Sequence, residues 1–446
     1  MVGWVPAGSW TGFILAFGFP AIGGTGYFYL AYKDGAPGIK NNANYFKSIT
    51  ARGSLGWIAG IFMTGFYILV YISPAPLAGA VEIVAPLYAL LTGGAAADTS
   101  HWFLYGFIYT IAILVFGVRM IMRYRHNRYQ QIRTVSVMFF QLGFAFIIPN
   151  ILKLFQQPEF YFSYFWPLKY DYLFPGTVSD MVANPGGLGM FFILWGAIMT
   201  FVATPILTYK FGKRWYCSWV CGCGGLAETL GDPFRQLSDK SMKAWKIERW
   251  MVHGVLVFIT FTTLVLWANS ATGGQIFGGF SGGLSYAYGF FIGAIFSGVV
   301  GVGFYPIMGT RVWCRFGCPM AAILGIFQRF FSKFRITTNG GQCMSCGNCS
   351  TYCEMGIDVR AYAQKGENII RASCVGCGIC AAVCPRGVLK LENGATFADR
   401  YRGSENPFGA LIEAVKRDNT SGIVEMPTRA SAVKFVRGMK DMRVRS

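Results

Sequence analysis

The sequence predicts a polytopic α-helical membrane protein of about seven spans, closed at its C-terminal end by a small cysteine-rich α+β domain. Three observations predict it. Hydrophobic residues make up 54% and charged residues 13% of 446 positions, with a mean hydropathy of +0.42, a balance that water-soluble folds rarely show. Seven apolar stretches of roughly 20 residues each meet the length a bilayer requires. All 13 cysteines fall after residue 216, eight of them between Cys343 and Cys384.

The apolar stretches lie near 10–32, 54–73, 102–122, 134–152, 188–208, 250–268 and 284–308. The first is Gly-rich and lacks a positive leading segment, so it does not read as a signal peptide. Charge alternates between the connecting loops. Loop 33–53 carries Lys33, Lys40, Lys47 and Arg52, and loop 119–133 carries Arg119, Arg123, Arg125, Arg128 and Arg133. Loop 209–249 is again strongly basic. Loop 74–101 has no Lys or Arg, 269–283 is uncharged, and 153–187 sets Lys153 and Lys169 against Glu159, Asp171 and Asp180. With seven spans, an outside N-terminus puts every basic loop on the cytoplasmic side. The expected location is therefore a bacterial inner (cytoplasmic) membrane, with the cysteine-rich end in the cytoplasm, where thiols stay reduced. The net charge of +19 is then a matter of anionic membrane lipid and an acidic partner. No nucleic-acid motif accompanies it. Phe160, Tyr161, Phe162, Tyr164, Phe165, Trp166 and Pro167 suit an interfacial belt or a cap on the membrane surface.

Cys343, Cys346, Cys349 and Cys353 are spaced C-x2-C-x2-C-x3-C. So are Cys374, Cys377, Cys380 and Cys384, followed by Pro385. This doubled run is the signature of a bacterial-type dicluster ferredoxin with two [4Fe–4S] clusters, in which the fourth ligand of each comes from the other run. One cluster is expected on Cys343, Cys346, Cys349 and Cys384, the other on Cys374, Cys377, Cys380 and Cys353. Gly347, Gly376 and Gly378 suit loops that turn N–H groups toward cluster sulfurs. Zinc favours paired knuckles or mixed Cys/His sets, and disulfides need an oxidising compartment. Glu354 stands where a Pro follows the second run, which removes no ligand.

A second cysteine system lies after the fifth and seventh apolar stretches. Gly212, Arg214, Cys217 and Cys221 match Gly309, Arg311, Cys314 and Cys318 as G-x-R-x-x-C-x3-C. If each C-x3-C lies on a helix end, its sulfurs share one face. The repeat suggests two helix–loop units packed as a pair. Three readings stay open for Cys217, Cys221, Cys314 and Cys318: a further iron–sulfur centre, a redox-active dithiol set, or buried structural thiols. Arg214 and Arg311 are expected to favour thiolates nearby. Cys223 is an additional thiol for which packing is the simplest account.

Such a span-plus-C-x3-C-P motif, twice, with a dicluster ferredoxin after it, resembles the NapH/NosR/CcoG group of membrane polyferredoxins. The resemblance covers roughly 188–390. Gly222 stands in place of the first Pro, and neither a flavin-bearing domain nor an immunoglobulin-like C-terminal domain is present. It implies electron transfer between menaquinol or ubiquinol and a larger respiratory complex. It implies, as another class, a cupric reductase acting in oxidase assembly, for which Cys223, Met320 and Met344 are the donors to consider. A redox-sensing regulator is a third class.

The expected organisation is 1–187 as N-terminal membrane helices with loops, 188–335 as the membrane core with both C-x3-C motifs, 336–392 as the ferredoxin domain and 393–446 as a basic tail with a short helix near 430–442. His101, His126 and His253 offer no facing pair for b-type haem, and no C-x-x-C-H occurs. No P-loop or dinucleotide fingerprint is present, and intramembrane acids are too few for a proton pump. A quinone site is compatible with the aromatic helices, which do not locate it. Tyr216, Trp219 and Trp313 read as packing beside the motifs.

Overall fold

In the computed structural model the described residues are 8–35, 37–38, 47–183, 188–339 and 342–393, and those up to Asn393 pack as one compact unit. The tail, with its expected helix, lies outside the described residues. Among the described residues, eight helices are long and apolar enough to cross a membrane: α1 (Trp10–Lys33), α2 (Ser54–Tyr71), α3 (Ala75–Thr92), α4 (His101–Arg123), α5 (Arg128–Leu154), α6 (Leu188–Phe211), α8 (Met242–Ala271) and α9 (Gly278–Val300). Between α6 and α8 lies the short α7 (Gly222–Glu228), and α10 (Pro319–Phe330) follows α9. The chain is a multi-pass membrane protein. Its helix starts follow local rules. Ser9, Ser100, Asn127 and Ser241 each accept a backbone N–H three residues on, satisfying a donor that the first turn leaves free.

α3 occupies most of the stretch read as the loop 74–101 without Lys or Arg. Its contacts explain why the bundle still reads as seven crossings. α2 ends and α4 begins at one end of the bundle, and the start of α3 lies with Pro74 beside His101. Its other end stops at Gly93, against Leu154 at that same end. α3 therefore lies across the bundle, about 27 Å long at 1.5 Å per residue. The other seven helices run from end to end. Arg125 reaches the carbonyls of Tyr32 and Gly35, and Arg52 those of Leu237 and Ile307, which ties the basic loops together at the opposite end.

Two connections enter the bundle. The segment 155–183 does not rest on the surface as a belt. Phe160 and Phe165 are 1% exposed, and Phe160 stacks on Phe192 at 4.5 Å. Trp166 donates to Thr263 at 3.2 Å, two turns inside α8. From the other end, 212–241 folds inward until Gly222 meets Gln141, midway along α5. The two meet where the Tyr216 hydroxyl donates to the Ser163 carbonyl at 2.8 Å and Phe165 stacks parallel to Trp215. The aromatics find their partners in the interior, a choice composition alone does not make.

The ferredoxin end is a small α+β unit. β1 (Phe334–Thr338) pairs antiparallel with β2 (Leu389–Asn393), Phe334 opposite Asn393, which brings the start and finish of the cysteine-rich segment together.

Candidate metal centres

Each of two small cavities in the ferredoxin unit is lined by four cysteines. Cys343, Cys346, Cys349 and Cys384 line one (site I); Cys353, Cys374, Cys377 and Cys380 line the other (site II). Antiparallel closure of β1 and β2 carries each run's last cysteine across to the other run. Site I opens outward, with Cys346 exposed and Met344 57% exposed on its rim. Site II faces the membrane helices and is clamped by them. Gln130 donates to the Cys377 carbonyl at 2.8 Å, Tyr129 to that of Gly376 at 3.0 Å and Gln328 to that of Cys374 at 2.8 Å. Among the described residues, no three His, Cys, Asp or Glu side chains converge on a single-ion position. A cage of irons and sulfides holds its thiolates farther apart than one ion does, so these four-cysteine linings fit a cluster. Burial pushes the Cys349 and Cys374 thiols up to about 11, so their thiolate form depends on bound metal.

The two C-x3-C motifs have matching backbones. Gly212 and Gly309 end their helices at φ +64 and +88 with ψ near 180, a region essentially reserved for glycine. A methyl group on Gly309 meets Ser238 backbone at 2.7 Å. The cysteine pairs do not share a helix face. Cys217 ends the one-turn helix Arg214–Cys217, and Cys221 is extended and caps α7; Cys318 is likewise extended and caps α10. Gly222 and Pro319 thus hold the same first helical position, which tolerates Pro because its N–H has no intrahelical partner. Cys217, Cys314 and Cys318 are buried in one cluster, against which Cys221 and Cys223 pack. Cys318 lies within electrostatic range of Cys314, Cys217 and Cys221. The four therefore lie in one neighbourhood, with Cys223, two residues from Cys221, at their edge.

Of the motif arginines only Arg311 faces these thiols, donating to Cys314 Sγ at 3.7 Å and to the Cys217 carbonyl at 3.2 Å. Arg214 lies instead over the Phe334 ring at 4.6 Å. Arg311 also belongs to a buried ionic network. It pairs with Glu228 at 2.5 Å and Glu354 at 3.1 Å; Arg133 also pairs with Glu228, and Arg235 with Glu354 and Asp232. Arg119 and Arg123 complete the shell around Asp232. Burial drives Asp232 and Glu354 toward their neutral forms, yet the guanidiniums prevail and hold both carboxyls below their usual range. Five guanidiniums face three carboxylates here, leaving two positive charges beside cysteines that carry negative charge when metallated. Glu354, the departure from Pro, is the ferredoxin's anchor in this network. Sequence reasoning missed its role, because Arg235 lies more than a hundred residues upstream and Arg311 in a distant turn, so neither is a sequence neighbour.

The membrane cysteines and site II are nearly continuous. Ser218, next to Cys217, donates to the carbonyl of Val375, next to Cys374, at 3.1 Å. At the edge of the set, a cavity of about 690 Å³ opens toward the end of the bundle opposite the ferredoxin. Tyr105, Tyr109, Tyr164 and Gln141 line it, and Cys223 forms part of its wall. Gln141 lies in a π-helical stretch of α5, Phe140–Ile147, whose wider turn re-aims side chains.

Residues 342–389 match a 4Fe-4S dicluster domain, and 193–241 and 288–337 each match a 4Fe-4S binding domain. Each copy of the latter encloses one C-x3-C motif. The chain carries 4Fe–4S ferredoxin-type domains. It is 24% identical over 241 residues to the protein named "Putative electron transport protein YccM" of Escherichia coli (strain K12), covering 44% of this chain and 61% of that one. It is 26% identical over 168 residues to an uncharacterized protein of Methanocaldococcus jannaschii, covering 36% and 59%. The chain thus spans about three fifths of the length of these curated relatives. No solved structure matches it.

Proposed function

We propose that this chain is a membrane-bound iron–sulfur relay, passing single electrons between a quinone carried in the membrane domain and a redox partner at the exposed ferredoxin face. One observation carries the reading: the Ser218–Val375 hydrogen bond joins the membrane cysteines to site II, and site I lies beyond it at the surface. The name of the Escherichia coli relative supports electron transport. The spacing and the linings support Cys343, Cys346, Cys349 and Cys384 as holders of one [4Fe–4S] cluster, and Cys353, Cys374, Cys377 and Cys380 of the other. Cys217, Cys221, Cys314 and Cys318 are proposed to hold a third. Such clusters supply reversible one-electron transfer. The protein supplies the rest. Arg311 and its network offset thiolate charge, and Gln130, Tyr129 and Gln328 fix site II against the bundle. The tyrosines and Gln141 of the 690 Å³ cavity offer hydrogen bonds to a quinone carbonyl beside Cys223.

The charge pattern of the loops supports a bacterial inner membrane with the ferredoxin on the cytoplasmic side. The motif set favours the NapH/NosR/CcoG group and, through it, a larger respiratory complex as partner. For a cupric reductase the two methionines divide: Met344 lies on the rim of site I and not at Cys223, whereas Met320 is buried in the cluster against which Cys223 packs. The test is the iron and acid-labile sulfide content of anaerobically purified protein with EPR during a redox titration. About twelve irons per chain, falling by about four in Cys314→Ser, is the expected result. About eight, unchanged in that variant, would remove the third centre, and fewer would remove the ferredoxin assignment.

A further inference from the structure

The ferredoxin-side end of the bundle holds another cavity, of about 520 Å³, between the first turns of α8, the outer face of α10 and residues 370–373. It belongs to none of the cysteine linings, though Cys314 forms part of its wall. Its charge is one-sided. Lys213, Arg249, Arg315, Arg329 and Arg371 line it against Glu248 alone, and Glu248 is already taken by Arg315 Nε at 2.7 Å. Trp245 is flanked by two guanidiniums, Arg371 at 4.7 Å and Arg249 at 5.3 Å from its ring.

Buried donors there lack acceptors. Arg371 Nε and Nη2 and Arg315 Nη2 are shut off from solvent without a hydrogen-bond partner among the described residues. Buried N–H groups of a permanently charged side chain call for an anion, and a guanidinium fork matches phosphate oxygens. The surroundings say what the anion is attached to. Trp250 beside the cavity is 83% exposed and Met242 61% exposed, at the point where α8 enters its apolar stretch. Exposed indole and cations at that level form the interfacial belt of a membrane helix. A neutral ring such as a quinone leaves this charge unanswered.

We propose that this cavity binds the phosphate group of an anionic phospholipid from the ferredoxin-side leaflet. The headgroup meets Arg371, Arg329 and Arg249, its acyl chains run along α8 past Trp250, and its seat covers the approach to Cys314.

The test uses the full chain, purified in neutral detergent and stripped of lipid, with bound lipid counted by native mass spectrometry. Phosphatidylglycerol is expected to bind at about one molecule per chain, at least tenfold tighter than phosphatidylcholine. Arg371→Gln is expected to lose about tenfold in affinity, and Arg329→Gln, an exposed position that leaves folding intact, severalfold. Lys33→Gln, which removes the same charge far from the cavity, is expected to change nothing. Equal retention of both lipids, or unchanged affinity in both arginine variants, would overturn the proposal. So would inorganic phosphate binding as tightly as the lipid, since the site would then serve a soluble anion. None of these readouts depends on iron content, so the inference stands or falls apart from the electron-relay reading.

Discussion

Sites I and II share one cysteine spacing and differ in everything around it. Site I opens to solvent at Cys346, whereas site II has three of its carbonyls bonded by side chains of the helical bundle, two from α5 and one from α10, and a buried ionic shell behind Glu354. The spacing determines what a loop can ligate. The surroundings determine how easily that ligand set exchanges charge, water and metal. In this chain one four-cysteine site is enclosed and the other is left open to solvent.

The largest effect that would break this contrast is removal of the ionic shell. Asp232→Ala leaves Arg119, Arg123 and Arg235 without their shared carboxylate, and is expected to cost about 3–5 kcal/mol, as removing one member of a buried ion pair does. Chemical denaturation should report it as site II failing before site I; simultaneous failure would mean the sites share one shell. The same carboxyl sets a pH limit. Its folded pKa lies below the unfolded value of about 3.9, so its stabilisation is present above that value and is lost as pH falls through the folded pKa. Stability should therefore not decline on this account between pH 7 and 5.

A glycine pair sharpens the comparison. Gly347 at site I and Gly376 at site II both have positive φ, +81 and +68. Alanine at 347 meets nothing nearer than Arg360 at 4.0 Å, so only the left-handed backbone penalty of about 1–2 kcal/mol is expected. Alanine at 376 also runs into Phe334 at 2.8 Å and Arg214 at 2.9 Å, and should cost more than its partner. Thermal melts of both variants would decide it, and equal costs would contradict a clamped site II.

The smallest effects are single hydrogen bonds. Gln130→Ala removes the donor to the Cys377 carbonyl and is expected to cost about 1 kcal/mol and to move the potential of site II while leaving that of site I in place. Ser218→Ala is expected to cost a similar ~1 kcal/mol or less and to slow transfer from the membrane cysteines to site II. Freeze-quench EPR would read the second, and an unchanged rate would move the route away from that contact.

What the sequence made legible was local. Cysteine spacing, Gly before the motifs and charge alternation between spans each depend on a few neighbouring residues, and the eight-cysteine runs and seven crossings could be read from them. α3 was hidden because Pro74, Pro76 and Pro86 break its pattern, though its alanine-rich run without Lys or Arg was a signal that more than a loop was present. The inward course of 155–183 was not legible, since aromatic residues suit a membrane interface and a core equally well. Nor was the arginine network: Arg119, Arg123 and Arg133 read as loop charges, and only packing against Asp232 and Glu228 turns them into a buried shell.

The clamp on residues 374–380 has a consequence for how the protein is made. Cys374 and Cys380 end up buried, and carbonyls of their loop are bound by α5, whose Tyr129 and Gln130 precede them by 247 residues. Once seated, that loop is closed from the bundle side. Any cofactor taken up at site II would have to enter from the ferredoxin side or before the loop is seated.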